Sequence, residues 1–298
     1  MKEQTHDKTM KPARLPDTTR ISDVQLRVSN LQRSESFYSD VLGLKVIAKD
    51  NSTVSLGAGN DPLVLLTEDS AAVQRPRRST GLFHVAIRFP SRTELARAFK
   101  RLYQSRWPSQ GFADHGVSEA LYLPDPDGIG IELYADRPKE DWKYVDGNLQ
   151  MGTWELDLES LVGLLDKDDN TTTGAHEKTD IGHVHLNISD LGSAERFYGN
   201  TLGFDVVQRD YPGALFVSAG GYHHHIGLNI WAGKGAPPAP KNAVGMMRFG
   251  IAVPDDAGFN GLLTRTNGSP VKTRKGRRSV ILHDQDGIEI EVTGPSNN

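Results

Sequence analysis

The chain has 298 residues, of which 34 are basic and 38 acidic, for a formal charge of −4 with no long run of either sign. That length exceeds one typical domain, and the charge balance argues against a nucleic-acid partner. Cysteine is absent, which removes disulfides, thiolate ligands and cysteine nucleophiles together, so any metal must be held by His, Asp, Glu or water.

The opening MKEQTHDKTMKPARLPD is polar and lacks the apolar core of an export signal; residues 1–19 are expected to form a flexible tail. From Ile21 the alternating apolar residues of ISDVQLRV read as a strand. The following LQRSESFYSDVLG carries Leu, Phe-Tyr and Leu at helical spacing, with Gly43 placed to end the helix. Strand-like TVSLGAG and PLVLLTE complete a first unit. A second runs from GLFHVAIRFP (81–90) through a helical ELARAFKRLY to SEALYLPDPDGIGIELYADR (118–137). A polar connection over 138–180 holds one expected helix, LDLESLVGLLD, and an acidic, Thr-rich stretch, DKDDNTTTGAHEKTD, expected to be exposed. The third unit, IGHVHLNISDLGSAERFYGNTLGFDV (181–206) with ALFVSAGG and HIGLNIW, repeats the first at an offset of 160 residues. The fourth consists of VGMMRFGIAVP (244–254), a helix around GFNGLLTRT, and RSVILHDQDGIEIEVTG (278–294).

The chain therefore predicts an α+β fold of four βαβββ modules. Residues 20–137 form a first two-module domain and 181–294 a second. No stretch approaches the roughly 18 apolar residues of a membrane helix, so a soluble, cytoplasmic protein is expected.

Aligning the four opening strands puts Asp23, His84, His183 and Arg248 at one position, and aligning the closing strands GIGIELY and GIEIEVT matches Glu132 with Glu291. A lone strand histidine is usually a surface or hydrogen-bonded residue, but recurrence at one structural position points to shared use. The run GYHHHI (221–226) places three histidines side by side. Consecutive strand residues face opposite ways, so only His223 with His225, or His224 alone, can turn toward one site.

The segments HVHLNISDLGSAERFYGNTLGF, GLFHVAIRFP and DHGVSEALYLPDPDGIGIELYADRP resemble the vicinal oxygen chelate superfamily, which contains glyoxalases, bleomycin-resistance proteins and extradiol dioxygenases. The two-domain catechol 2,3-dioxygenase type is most similar, and SAGGYHHHIGLNIW shares in that likeness. The resemblance covers 20–294 apart from the connection. It implies modules paired into two cup-shaped mixed β-sheets, and a His, His, Glu facial triad holding Fe(2+) with open positions for a small aromatic diol and O2.

Pairing neighbouring modules would give Asp23, His84 and Glu132 in one cup and His183, Arg248 and Glu291 in the other. Arginine stays protonated and does not ligate a cation. Pairing module two with three and one with four instead collects His84, Glu132 and His183 as a metal set, and leaves Asp23, Arg248 and Glu291 to satisfy one another as an ion-pair group. The second arrangement is preferred, with Asp23, His84 and Glu132 as the rival site.

Around the metal, the resemblance implies that Tyr122, ten residues before Glu132, contacts the substrate oxygens. His115 is a candidate acid or base, and His185, two residues beyond His183 on one strand, is expected to contact substrate. The GYHHHI run is expected to lead into the last strand of module three, with His224 or His225 as a proton shuttle. The Asp-rich PDPDG (124–128) and HDQDG (283–287) are read as hairpin turns in preference to calcium loops, and the basic VKTRKGRRS (271–279) as a solvated strand edge.

The resulting expectation is extradiol ring cleavage of a catechol to a semialdehyde. The alternatives are a glyoxalase-like isomerase, which in this superfamily uses four protein ligands, and a non-catalytic protein that binds an aromatic compound. Four modules complete both cups within one chain, so oligomerisation is allowed but not required.

Overall fold

The computed structural model describes residues 14–166, 169, 174–274 and 276–296. The expected modules are present. Module one comprises β1 (Arg20–Val28), helix α1 (Leu31–Ser36), β2 (Lys45–Lys49), β3 (Thr53–Gly57) and β4 (Val64–Glu68). Module two comprises β5 (Gly81–Phe89), α2 (Arg92–Gln104), β6 (Gly111–Asp114), β7 (Ser118–Pro124) and β8 (Gly130–Asp136). The connection carries a short hairpin, β9 (Tyr144–Val145) and β10 (Asn148–Leu149), and α3 (Leu158–Val162). Module three comprises β11 (Asp180–Asn187), α4 (Leu191–Ala194), β12 (Asp205–Gln208), β13 (Ala214–Ser218) and β14 (Ile226–Asn229). Module four comprises β15 (Gly245–Ala252), α5 (Asp256–Arg265), β16 (Val271–Arg274), β17 (Arg277–His283) and β18 (Glu289–Ser296).

Local chemistry sets these boundaries. Asn30, Ser91, Asp190 and Asp255 cap their helices by accepting a hydrogen bond from the backbone N–H three residues on, as short polar N-caps do. After α1 and α4 the helix widens into i→i+5 bonding over Phe37–Val41 and Glu195–Leu202. Gly43 and Gly203 then reverse the chain at φ +81° and +96°, where a Cβ would be strained.

Two eight-stranded mixed sheets result, ordered β12-β13-β14-β11-β5-β8-β7-β6 and β16-β17-β18-β15-β1-β4-β3-β2. In every module the first strand lies parallel to the last. The modules join through antiparallel central pairs, β5 with β11 and β1 with β15. Module two thus pairs with three and module one with four, and each half of the sequence contributes one module to each sheet. A single apolar cluster including Val24, Phe37, Val85, Leu133, Val184 and Phe249 runs through both sheets. The outermost β16 includes part of the basic run 271–279.

The Asp-rich turns tie the sheets together. Asp125 accepts the N–H groups of Asp127 and Ile129, both at 2.8 Å, and faces the hydroxyl of Tyr38 in module one. Asp284 does the same with Asp286, Ile288 and, at 2.9 Å, Tyr198 of module three. Their carboxylates are occupied by the protein's own donors, in accord with the turn reading.

Two expectations are corrected. Residues 14–19 do not trail as a free tail: Leu15 is buried and its N–H bonds the carbonyl of Gly203, while Arg14 reaches the carbonyls of Gly199 and Phe204. Residues 1–13 of that expected tail lie outside the described residues. Nor is the acidic stretch exposed throughout. Asp169 pairs with Arg97 at 2.9 Å, and Ala175 is buried with its N–H on the carbonyl of Gly43; residues 167, 168 and 170–173 lie outside the described residues.

Gly182 sits at a register shift between β11 and β5. A Cβ there would overlap the hydroxyl of Tyr134, which is fully buried and hydrogen-bonded to Tyr222 at 2.6 Å. Gly182→Ala is expected to destabilise the protein by about 1–3 kcal/mol through overpacking, read as a lowered denaturation midpoint at an unchanged slope. A wild-type midpoint would show that Tyr134 is not held against this strand.

Candidate active site

His84 on β5, Glu132 on β8 and His183 on β11 converge at the centre of the sheet built from modules two and three. All three are buried. Glu132 Oε2 lies 2.9 Å from His84 Nε2 and 3.1 Å from His183 Nε2, and the two Nε2 atoms are 3.4 Å apart. Among the described residues this is the group of His and carboxylate side chains able to hold an ion. Ligands about 2.1 Å from one cation and at right angles to each other lie about 3.0 Å apart, so the three atoms have the spacing of one face of an octahedron. Two ring nitrogens facing one carboxylate oxygen form a donor set suited to a divalent metal.

Burial alone would raise the Glu132 pKa, but the charges and hydrogen bonds of His183 and His84 hold it well below the usual carboxylate range. Burial pushes His183 down to about 4 against the opposing pull of Glu132. His183 Nδ1 has no hydrogen-bond partner. Its ring is held by packing instead, 4.1 Å between centroids from His224 and 5.0 Å from Tyr134.

Tyr122 stands directly across the β7–β8 ladder from Glu132, so the ten-residue spacing closes a hairpin that puts both side chains on one face. Its hydroxyl is 2.7 Å from His115 Nε2, and His115 Nδ1 is 2.6 Å from the carbonyl of Gly152. A carbonyl only accepts, so Nδ1 carries a hydrogen, while the Tyr122 hydroxyl stands between His115 Nε2 and the Glu132 carboxylate. Burial, then the negative charge of Glu132, pushes the Tyr122 pKa well above its ordinary value.

His185 lies opposite His84 in the central strand pair, with ring centroids 5.0 Å apart. It packs on Gly227, where a Cβ would meet its ring at 2.8 Å. It falls outside the three-residue metal group, and burial, then His84 and His183, push its pKa well down.

The three consecutive histidines depart from strand alternation. Gly220 and Gly221, at φ +63° and +64°, bend residues 222–225 into a turn before β14. His223 and His224 consequently touch, Nδ1 to Nδ1 at 2.8 Å, and His224 lines the pocket. His225 turns elsewhere. Its Nδ1 accepts the N–H of Ala219 at 3.2 Å and meets Ser218 Oγ at 3.0 Å, beside Phe204 and Tyr222. It does not line the pocket, so of the two histidines named as a shuttle only His224 faces the cavity.

Burial pushes His225 down to about 3. A depressed histidine contributes stability that is complete above its unfolded value near 6.5 and is lost as pH falls toward 3. Between those limits the wild type is expected to lose about 1.4 kcal/mol per pH unit more than His225→Asn, measured by urea unfolding at pH 7 and 5. Parallel losses in the two proteins would contradict the buried, neutral assignment.

Above the metal set opens a cavity of about 370 Å³, lined by His84, Glu132, His183, His115, Tyr122, His185 and His224. Phe83, Val117, Ile131, Tyr211, Phe216 and Trp231 form apolar and aromatic walls, and the connection supplies Met151, Gly152 and Thr153. Phe83 and Trp231 adjoin motifs already visible in the sequence. Gly152 carries no such signal, because a backbone carbonyl in a polar connection has no side chain to announce it. In the other sheet, Arg248 Nη1 lies 2.8 Å from Asp23 Oδ2 and 3.3 Å from Glu291 Oε2, so those three residues close on one another and Asp23 lies in the other sheet from His84.

A family model described as the Glyoxalase/Bleomycin resistance protein/Dioxygenase superfamily matches residues 20–133 and 180–292, and the chain belongs to that superfamily. Within it, the chain is 48% identical over 243 residues to a catechol-2,3-dioxygenase of Bacillus subtilis (strain 168), covering 80% of this chain and 84% of that one. It is 27% identical over 136 residues to a biphenyl-2,3-diol 1,2-dioxygenase of Rhodococcus globerulus, covering 44% of this chain and 72% of the relative. The crystal structure of glyoxalase I from Zea mays shares the fold, with a TM-score of 0.58 at 17% identity, covering 93% of this chain and 92% of that one.

Proposed function

We propose that the chain is an Fe(II)-dependent extradiol dioxygenase that opens a catechol ring with dioxygen to a semialdehyde. The reading rests on one observation above all: a two-histidine, one-carboxylate set with facial spacing lies under an aromatic-walled cavity beside a tyrosine–histidine pair. The 48% identical catechol-2,3-dioxygenase supports it. The three-donor group, in place of four, favours it over isomerase chemistry.

His84, His183 and Glu132 would hold the metal, which supplies Lewis acidity toward the diol oxygens and electron exchange with dioxygen. With Glu132 engaged by the metal, the Tyr122 hydrogen would turn to His115 Nε2, and its oxygen would accept from a diol hydroxyl. As that proton arrives, the tyrosine proton passes to His115 Nε2, and the Gly152 carbonyl holds the imidazolium through Nδ1–H. His185 on β11 and His224 in the turn before β14 would flank the diol. Among the described residues, lysine and arginine are missing from the cavity lining. An anionic ring substituent would lose its hydration without a counter-charge, so the substrate is a catechol with neutral, apolar substituents.

The deciding experiment is anaerobic purification with iron analysis, followed by oxygen uptake and product absorbance with catechol, a neutral alkyl or aryl catechol, and a carboxylated catechol. Stoichiometric iron with one O2 consumed per catechol opened is expected, with the carboxylated compound poorest. Protein that retains no iron, or shows no catechol-dependent uptake when iron is supplied, rules the reading out.

A further inference from the structure

Phe83 immediately precedes the candidate ligand His84 on β5, and alternation along a strand would point it away from the face that His84 occupies. The ladder breaks there. His185 pairs with His84, yet the next residue, Leu186, pairs with Leu82, so Phe83 is the extra residue of a β-bulge, a device that re-aims a side chain. Gly130 makes room for it, since a Cβ at that position would overlap the Phe83 carbonyl oxygen. Phe83 consequently lines the cavity above the candidate metal set while remaining 41% exposed. The corresponding break in the other sheet falls on Met247. The fold therefore supplies the bulge, and the sheet with the metal set puts an aromatic ring on it.

Beside Phe83 stands Trp231, 46% exposed, with ring centroids 5.3 Å apart and ring planes at 76°. The indole is fixed in place: its N–H donates to the carbonyl of Pro212 at 3.0 Å, it lies over Gly213, and His185 packs on it at 5.2 Å. Its polar atom is thus satisfied, and what the two rings leave in water is apolar area, which is unfavourable until something covers it. Rings held near a right angle offer a third, planar ring one stacked and one edge-to-face contact. Tyr211, 6.3 Å from Trp231, extends the same surface. We propose that Phe83 and Trp231 are specificity-determining residues that clasp an aryl group carried by the diol, so that an aryl-substituted catechol is preferred over catechol itself and over an alkyl catechol. The diol's fate rests on the proposed ring cleavage; the aryl site does not.

Calorimetric titration of the metal-free protein under nitrogen reads the site without turnover, using catechol and the 3- and 4-substituted phenylcatechols and cyclohexylcatechols. The tighter phenyl isomer is expected to bind about tenfold better than catechol and about threefold better than its cyclohexyl counterpart. Trp231→Leu and Phe83→Leu should each cut the phenyl-to-catechol affinity ratio about fivefold, and Trp231→Phe, which keeps a ring, should restore most of it. A phenyl compound no tighter than its cyclohexyl counterpart overturns the clasp, as does a ratio that both leucine variants leave unchanged. In the iron-loaded enzyme the same order should appear in kcat/KM from oxygen uptake. A wild type that prefers the phenyl compound in binding but consumes no oxygen leaves the aryl site standing and removes the proposed reaction. Oxygen uptake with phenyl and cyclohexyl compounds bound equally does the reverse.

Discussion

His84→Ala is expected to abolish iron retention and ring cleavage together, a loss of about 10³-fold or more in turnover if the metal supplies several kcal/mol. The three candidate ligand atoms sit within 3.4 Å of one another, so removing one opens a face of the set. Glu132→Gln should behave alike, because an amide lacks the negative charge that offsets a divalent cation between two imidazoles. The fold should survive both changes, since the surrounding strands are held by the apolar cluster and their ladders. Iron analysis, oxygen uptake and a thermal melt on the same preparations distinguish a lost ligand from a lost fold. His84→Ala that kept its iron and its turnover would sink the assignment.

The second large effect is at the tyrosine–histidine pair. Tyr122→Phe removes the hydroxyl that bonds His115 while leaving the ring packed, and kcat is expected to fall about 100-fold with iron unchanged. His115→Ala should cost a similar amount. If the two side chains act as one relay, the double variant is no worse than either single variant, as for residues that work as a unit. Additive losses, multiplying toward about 10⁴-fold, would show that they act independently.

Much of this was legible in the sequence because it repeats. The offset between Ile21 and Ile181 defines the module, and aligning modules isolates the polar positions on otherwise apolar strands. Charge chemistry then chooses the pairing. An arginine at position 248 cannot ligate, and the structure places it on Asp23 and Glu291 in the other sheet. Tyr122 came from the family resemblance, and the β7–β8 hairpin sets it opposite Glu132.

Other features depended on contacts that no local pattern encodes. The GYHHHI run reads as strand by composition, yet the glycine pair before it makes a turn and places adjacent imidazoles in contact; the Gly-Gly dipeptide was the available signal. Gly152 reaches His115 from a connection that looked like a polar linker. Arg14 and Leu15 dock on module three through backbone carbonyls, which every residue possesses and none advertises.

The sequence by itself determined the module, its four copies and the residue types available to a metal, because periodicity and side-chain chemistry are properties of short segments. Tertiary structure alone decided which histidine of three meets the pocket, which side chains converge on one point, and which backbone groups orient them. Those depend on donors and acceptors meeting within about 3 Å across elements distant in the chain, and only the folded arrangement sets such distances.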